Sequence, residues 1–202
     1  MTMHSKAILA CAALWLSALA GAQAQTAAQL TMTAVRLQAG ESIALDGTLS
    51  HPAWQRAPVH DRFVGKFPLA GAPPVQQTRV QVLFDERALY VGIGVLDTQP
   101  ELIRDRRVRH DGVNRTQDFV VVYIDAIGVR SSAQFFRINA AGSTADGMHT
   151  ASDNSEDFAP DFDWDGATAR NAQGWTAVLR LPFASLRFAQ GRQDWRIMVA
   201  RR

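Results

Sequence analysis

A short segment at residues 161–166, with the sequence DFDWDG, sets an indole among three carboxylates. A flat aromatic ring can stack on the apolar face of a pyranose, while planar donors and acceptors around it bind the hydroxyl groups. Trp164 has acidic neighbours on both sides, so its burial is harder to arrange. It is therefore our first candidate for a sugar platform. The alternative is that Trp164 only anchors its loop against the body of the protein.

Five further residues are predicted to complete a ligand-binding group. Trp175 is the second candidate platform, although its place at the start of a strand-like run also fits core packing. Asp118 begins a predicted central strand and Asn139 ends its hairpin partner, so we expect the two side chains at the same end of a sheet. Arg109 and Asp111 come from the adjoining loop. The alternatives are a local turn role for Asp118 and a solvated surface charge for Arg109.

The acidic segment also matches the opening of a calcium-binding loop. The pattern D-x-D-x-D-G is formed by Asp161, Asp163, Asp165 and Gly166. In such loops alternating carboxylates converge on a hard cation and glycine permits a sharp turn. The twelfth position is Ala172 instead of a bidentate glutamate, so the pattern is not an EF-hand. We predict a looser structural calcium site, with a solvated acidic loop as the alternative; the nearby acids that would complete it are Asp153, Glu156 and Asp157.

Catalysis finds less support in these residues. Two carboxylates roughly 5 to 10 Å apart are enough for glycoside hydrolysis, but the acids here crowd one loop instead of facing each other across a cleft. None has an evident apolar pocket that would raise its pKa. We therefore assign no catalytic residue, and any glycosyl hydrolase activity would reside in an associated domain. A glycoside hydrolase in its own right is the weakest alternative.

The basic residues cluster between positions 104 and 115. This cluster contains Arg104, Arg106, Arg107, Arg109 and Arg115. It could meet an anionic polysaccharide or a lipopolysaccharide, but interleaved acids favour a solvated surface; they are Asp105, Asp111 and Asp118. The formal net charge of the whole chain is only +2, and we predict no nucleic-acid partner.

Alternating apolar and polar residues predict the elements that position these side chains. Residues 78–85 and 88–97 form one predicted hairpin, and residues 118–126 and 131–140 form a second, whose first strand is apolar on both faces. Two further strands are predicted at 174–183 and 195–202, and residues 34–45 give two short strand-like runs. A short helix capped by Ser50 should precede the first hairpin, and residues 151–160 should form a long loop. The predicted fold class is all-β, a two-sheet antiparallel β-sandwich of the jelly-roll type with short helical turns.

Residues 1–24 are predicted to be a secretory signal peptide, with Lys6 before an apolar stretch and a small-residue cleavage site. Cys11 is the only cysteine, so cleavage would leave neither disulfide nor thiol chemistry. We expect residues 25–33 to be a disordered tether and residues 34–202 to be a single β-sandwich domain. Beyond the signal segment, no stretch approaches the roughly 18 apolar residues that a membrane-spanning helix needs.

The order of several motifs resembles a known family. They include DGTLSHPAW at 46–54, FFRINAAGSTADG at 135–147 and GWTAVLRLPFASLRF at 174–188. The first hairpin and the motifs QDFVVVYID and DWDG lie between them in the same order. Over roughly residues 42–202 the chain therefore resembles a carbohydrate-binding module of family 9. It is most similar to the version at the N-terminus of larger secreted bacterial proteins, ahead of a C-terminal β-rich domain of uncharacterised function.

This resemblance implies a non-catalytic glycan-binding module associated with polysaccharide breakdown. Export would take it to the periplasm, the outer-membrane surface or the exterior, and some members of the family hold structural calcium. The family continues into a further domain where this chain stops directly after a predicted strand, so we expect a truncated product. The alternative is a structural or protein-interaction module of an outer-membrane assembly, which would expose a large apolar surface when isolated.

Overall fold

The computed structural model describes residues 31–189, 191 and 194–202. The predicted signal peptide and most of the predicted tether lie outside these ranges. Met32–Arg202 form one compact unit. No helix in the described part of the chain combines the length and the apolar composition that crossing a membrane takes. The elements are β1 (Ala34–Arg36), α1 (Pro52–Arg56), β2 (Thr78–Phe84), β3 (Ala88–Leu96), β4 (Phe119–Asp125), β5 (Ser132–Asn139), β6 (Thr144–Thr150), β7 (Ser155–Asp157), β8 (Asp165–Asn171), β9 (Gly174–Pro182) and β10 (Arg196–Arg201), with 3₁₀ turns at Pro100–Leu102 and Phe183–Ser185.

The first sheet has five strands in the order β1-β2-β3-β9-β8. β1 runs parallel to β2, and the other neighbouring pairs are antiparallel. Strands β2 and β3 form the first predicted hairpin, whose turn is closed by Asp85 accepting from the backbone N–H groups of Arg87 and Ala88. Val91 lies between Val82 and Leu179 in register, so apolar side chains form a continuous row across the sheet.

The second sheet has the order β10-β4-β5-β6-β7 and is antiparallel throughout. Strands β4 and β5 form the second predicted hairpin. β4 lies between β10 and β5, which confirms its predicted central position. Its residues are buried on both faces apart from Tyr123, which is half-buried. This explains why β4 carries no polar alternation.

The main core lies between the two sheets. Val91, Ile93 and Leu179 from the first sheet belong to one buried cluster with Val122 and Phe136 from the second. Full burial of each such side chain contributes roughly 1.5–3 kcal/mol relative to exposure. The inner faces therefore hold the two sheets together, as a β-sandwich requires, and the predicted fold class is confirmed.

Each sheet is also covered on its outer face. Trp54 of α1 packs with Leu83 and Tyr90 over the first sheet, and a Cβ atom on Gly92 would lie 2.7 Å from the Trp54 ring, so only glycine fits there. On the second sheet, Phe119 packs with other residues under the loop that precedes β4; they are Val113, Val121, Phe135 and Ala145. Both faces of β3 and of β4 are therefore largely buried.

Arg137 is buried in this outer cluster of the second sheet. Its guanidinium carbon lies 4.7 Å from the centre of the Phe119 ring, and its Nη2 donates to Glu156 Oε1 at 2.6 Å. The Tyr123 hydroxyl donates to the same oxygen at 2.8 Å. The pKa of Tyr123 is raised to about 12, mainly by burial and secondly by this hydrogen bond to Glu156. The guanidinium of Arg137 is buried under the loops because its partners, Phe119 and Glu156, lie beside it.

Three strands were not predicted from the sequence. β6 and β8 are too polar to show alternation, and β7 lies inside the segment expected to be a loop; each becomes a strand because a neighbouring strand offers it a hydrogen-bonding edge. The predicted helix cap is also wrong by one residue. His51, not Ser50, occupies the cap position of α1, where its Nδ1 accepts from the Ala53 N–H at 3.1 Å.

Replacement of Arg137 by alanine is expected to lower the free energy of unfolding by about 3 kcal/mol, because it leaves Glu156 without its buried cation. Urea denaturation followed by circular dichroism measures this change. Arg36→Ala is the control of equal charge, since it removes an ion pair with Glu86 that is exposed on both sides. Equal losses in the two variants would contradict a structural role for the buried guanidinium.

Candidate functional site

A buried carboxylate fixes the acidic segment to the second sheet. Asp146, in β6, is only 1% exposed. Its Oδ2 accepts from the Phe162 N–H at 2.7 Å, and its Oδ1 accepts from the Trp164 indole N–H at 3.0 Å. The Trp164 ring packs edge-on against Phe136, with 5.5 Å between the ring centres. The predicted platform is therefore half-buried and held in one orientation.

His110 faces the same carboxylate from the loop before β4. Its Nε2 lies 3.3 Å from Asp146 Oδ1 and 3.5 Å from one carboxylate oxygen each of Asp111 and Asp161. Its Nδ1 lies 3.2 Å from the Thr144 hydroxyl. One imidazole thus lies among three carboxylates that come from three separate parts of the chain.

The loop that carries His110 is tied to the sheet by its backbone. The Asp111 N–H donates to the Thr144 carbonyl at 3.1 Å, and the Asp146 N–H donates to Asp111 Oδ1 at 3.3 Å. Asp111 has a φ of 59°, in the left-handed region that aspartate tolerates better than most residues. The turn therefore directs both His110 and Asp111 towards β6.

The site is closed at its base and open to solvent above. Asp146 is buried, whereas the side chains of His110 and Asp161 are 49% and 77% exposed. The open groups offer carboxylate acceptors and an imidazole beside a fixed indole, which is the set of contacts that a sugar ring uses. Among the predicted residues, the structure brings together Trp164, Asp111 and Asp161. Arg109 is next to His110 in the chain and is exposed.

A groove of about 380 Å³ adjoins the site through Phe162. The backbone of Phe162 is bound by Asp146, and its side chain lines the groove. The other walls are mainly apolar and include Ile127, Val129 and Met148, with Gln134 and Arg187 as polar members. An extended ligand at the site would therefore have an apolar channel beside it.

The ligand-binding roles predicted for Trp175 and Asn139 are wrong, because the structure buries both side chains. Trp175 is 1% exposed within the main core and cannot stack on a sugar. Asn139 has no exposed surface. Its side chain donates to the Arg106 carbonyl and accepts from the N–H groups of Ala141 and Ser143, so it stabilises the turn between β5 and β6.

Asp118 has a structural role instead of a free carboxylate. It accepts from the Arg104 backbone N–H at 2.7 Å and from the Arg104 guanidinium at 2.6 Å. The Ala140 N–H donates to the Asp118 carbonyl at 2.9 Å, so Asp118 and Asn139 do lie at the same end of the sheet, as predicted. The ligand role predicted for Asp118 is not supported, because Arg104 occupies its carboxylate.

The predicted calcium motif does not converge. Residues 161–164 have no helix or turn and lead straight into β8, so Asp161, Asp163 and Asp165 alternate with the inward residues Phe162 and Trp164. Such alternate side chains are spread along the chain at almost 7 Å intervals. Asp161 faces His110, whereas Asp165 pairs with Arg180 at 3.2 Å. These three carboxylates therefore do not form the loop that their spacing predicts.

The other acids proposed to complete a calcium site already have partners. Glu156 binds Arg137 and Tyr123, while Asp153 and Asp157 accept from the N–H groups of Ser155 and Ala159. Within the described ranges, one trio has metal-ligand atoms within 4.8 Å of one another: His110, Asp111 and Asp146. Calcium takes six to eight oxygen ligands, and here an imidazole nitrogen occupies the space between the carboxylates. This trio therefore fits a hydrogen-bonded imidazole better than it fits calcium.

Sequence reasoning missed His110 and Asp146, the two residues at the centre of the site. Asp146 precedes Gly147, a pair typical of turns, and His110 has no metal-ligand spacing to other histidines. Nothing in the local pattern shows that β6 places Asp146 under the acidic segment. Contacts of β6 with two loops that are distant in sequence bring these positions together.

No protein-family model matches the chain, and no curated protein matches it significantly in sequence. Solved structures do match. One is a family 9 carbohydrate-binding module from Caldicellulosiruptor kristjanssonii in complex with cellotriose, with a TM-score of 0.58 and 15% identity over 84% of this chain and 75% of that one. A family 9 module from the same organism in complex with glucose gives a TM-score of 0.56, again at 15% identity, over 83% and 76%. The chain thus has the fold of family 9 carbohydrate-binding modules.

Asp146→Ala is expected to lower the free energy of unfolding by about 2 kcal/mol, because the Trp164 indole and the Phe162 N–H lose their acceptor. Released from that bond, Trp164 should also become more exposed, which shifts tryptophan fluorescence to longer wavelength. The matched control is Asp163→Ala, since Asp163 is an exposed acid of the same segment. A fluorescence shift in the control alone, or in neither variant, would contradict the anchoring role of Asp146.

Calcium chloride in excess is expected to leave the melting temperature of the chain unchanged relative to EDTA, because the acidic motif does not converge. A site filled at a hundred times its Kd would instead stabilise the folded state by about 2.7 kcal/mol, which is several degrees. Differential scanning calorimetry measures the difference. A calcium-dependent rise that Asp161→Asn abolishes would contradict this assignment.

Proposed function

We propose that this chain is an exported, non-catalytic carbohydrate-binding module that binds a glycan at the surface around Trp164. The observation that carries the proposal is the fixed indole beside open polar groups at His110, Asp111 and Asp161. The fold supports it, because family 9 modules of the same fold are known in complexes with cellotriose and glucose. The glycan would stack on the open part of the indole and exchange hydrogen bonds with the polar groups.

The rigidity of the site favours binding. Trp164 is held by Asp146 and Phe136, so little side-chain freedom remains to be lost when a ring stacks on it. Asp111 and Asp161 can accept hydrogen bonds from hydroxyl groups, while the exposed guanidinium of Arg109 can donate. Such a mixture of acceptors and donors suits a polyhydroxylated ligand.

The carboxylates of the site do not favour hydrolysis. Glycosidases place two carboxyl groups on opposite sides of the scissile bond, with room for the sugar between them. Here the imidazole of His110 fills the space between Asp111, Asp146 and Asp161. We therefore propose that any role in polysaccharide breakdown is to hold the glycan near the hydrolase activity of an associated domain, after export directed by residues 1–24.

A second candidate function rests on an exposed apolar loop. Between residues 64 and 75 several large apolar side chains face solvent: Val64 at 71%, Phe67 at 81%, Leu69 at 70% and Val75 at 93% exposure. Exposed apolar patches often mark contact surfaces. This loop favours the alternative in which the chain is a protein-interaction module, and the binding experiment separates the two functions.

Titration calorimetry of the chain against soluble oligosaccharides, cellotriose among them, is expected to detect binding that Trp164→Ala weakens roughly tenfold or more, which corresponds to about 1.4 kcal/mol of lost stacking. The control is Trp195→Ala, another half-buried indole, which packs instead with Phe183 and Phe188. If a folded protein gives no heat with any sugar, the glycan-binding proposal fails and the interaction module is favoured.

A further inference from the structure

The acids interleaved with the basic cluster neutralise only one of its five arginines, Arg104. Asp118 is bound by both the backbone and the guanidinium of Arg104. Asp105 is bound by Arg170, which comes from β8, with Nη1 to Oδ2 at 2.7 Å. Asp111 points to His110 and to the backbone of Asp146. Among the three interleaved acids, only Asp118 therefore pairs with an arginine of the cluster.

Four arginines of the cluster are left with their charge uncompensated. They are Arg106, Arg107, Arg109 and Arg115, all exposed. In the part of the chain that the structure describes, no acid lies within ion-pair distance of any of their guanidinium groups. We call these four residues the arginine strip. The strip is a local excess of positive charge on a chain whose formal net charge is only +2.

The backbone under the strip is held at alternate points along the end of the second sheet. The Arg106 carbonyl accepts from the Asn139 amide at 2.9 Å. The Val108 N–H donates to the Ser143 hydroxyl at 3.0 Å. Arg115 lies in the turn closed by the Gln117 N–H and the Asn114 carbonyl, directly before Asp118 at the same sheet end. The guanidinium groups are therefore displayed from a fixed support, which lowers the entropy cost of binding through them.

The strip leads into the candidate glycan site. Arg109 is followed directly by His110 and Asp111, whose side chains meet Asp146 beneath Trp164. A ligand that lies on Trp164 and extends along the loop towards residue 106 therefore meets guanidinium groups outside the sugar platform. Arginine binds carboxylate and sulfate groups through planar, charge-assisted hydrogen bonds.

We propose that the glycan bound by this chain is acidic, a polysaccharide that carries carboxylate groups along its length, and that the arginine strip binds those groups. The inference rests on the proposed glycan function of the Trp164 site and specifies its substrate class. The pyranose ring stacks on Trp164 and the anionic substituents of neighbouring sugars pair with Arg106, Arg107 and Arg115. Screening by salt weakens such exposed pairs, so affinity for the acidic glycan falls as ionic strength rises.

The test compares one sugar chain with and without its charge. Calorimetry of the full chain at low salt uses an oligogalacturonate and its fully methyl-esterified form, which differ in carboxylate charge. The variant is R106Q/R107Q/R115Q. The matched control is R62Q/R79Q/R87Q, which removes the same charge from three exposed arginines outside the strip.

The proposal predicts that the strip variant binds the oligogalacturonate roughly tenfold more weakly, as the loss of three exposed charge pairs implies. Binding of the ester should stay unchanged, and the control variant should bind both ligands as the original chain does. Equal affinity for acid and ester, unaffected by the strip variant, would overturn the acidic-glycan proposal and leave the glycan function standing.

Two further outcomes overturn the proposal in distinguishable ways. If neither sugar binds to the folded chain, the glycan function itself fails and the substrate class fails with it. Sedimentation with phosphatidylglycerol vesicles tests whether the strip binds anionic lipid headgroups instead of a glycan. If the strip variant loses vesicle binding but not oligogalacturonate binding, the strip is a lipid-binding surface instead.

Discussion

The arrangement of the candidate site depends on one buried carboxylate, that of Asp146. Removing a carboxylate from water costs several kcal/mol unless hydrogen bonds or opposite charge compensate. Here the compensation comes from the Phe162 N–H, the Trp164 indole and the facing His110 imidazole. Because these partners belong to two different loops, satisfying Asp146 fixes both loops to β6. The indole, the imidazole and the open acids are consequently held as one group.

The same constraint separates a binding surface from a catalytic one. The carboxylate of Asp146 accepts two fixed hydrogen bonds at the buried base of the site, so it is not open to contact with a ligand. The acids above it share one imidazole instead of facing each other across a gap. The groups that remain exposed are the open part of the Trp164 indole, the polar side chains around it and the arginine strip. These features favour retention of a polar ligand over its chemical conversion.

Much of the fold could be predicted because the six predicted strands have strong local patterns. β4 is apolar on both faces because its outer face packs in the cluster that contains Val113. β6 and β8 could not be predicted, because their strand conformation comes from neighbouring ladders and not from their own residues. A tryptophan also gives no local sign of its burial. Trp164 and Trp175 both stand among polar neighbours, yet Trp175 is fully buried in the main core whereas Trp164 packs against that core from its edge and stays partly exposed.

The candidate site was predictable only in part, for a related reason. Trp164 and its acidic neighbours stand out by composition, but Asp146 and His110 acquire their roles from contacts between distant segments. Asn139 looked like an accessible strand-end residue, whereas its amide is consumed by three backbone groups of the adjoining turn and loop. The sequence likewise gives no sign that Asp105 pairs outside the arginine cluster, with Arg170 of β8. Long-range pairing determines which polar groups stay available.

An amide and indole NMR titration with a soluble oligosaccharide would test the binding role of this site most directly. We expect the indole N–H resonance of Trp164 and the backbone resonances of His110 and Asp111 to shift together and to saturate with a single dissociation constant. Shifts confined to the apolar loop at residues 64–75, or no shift with any glycan for a folded protein, would contradict it.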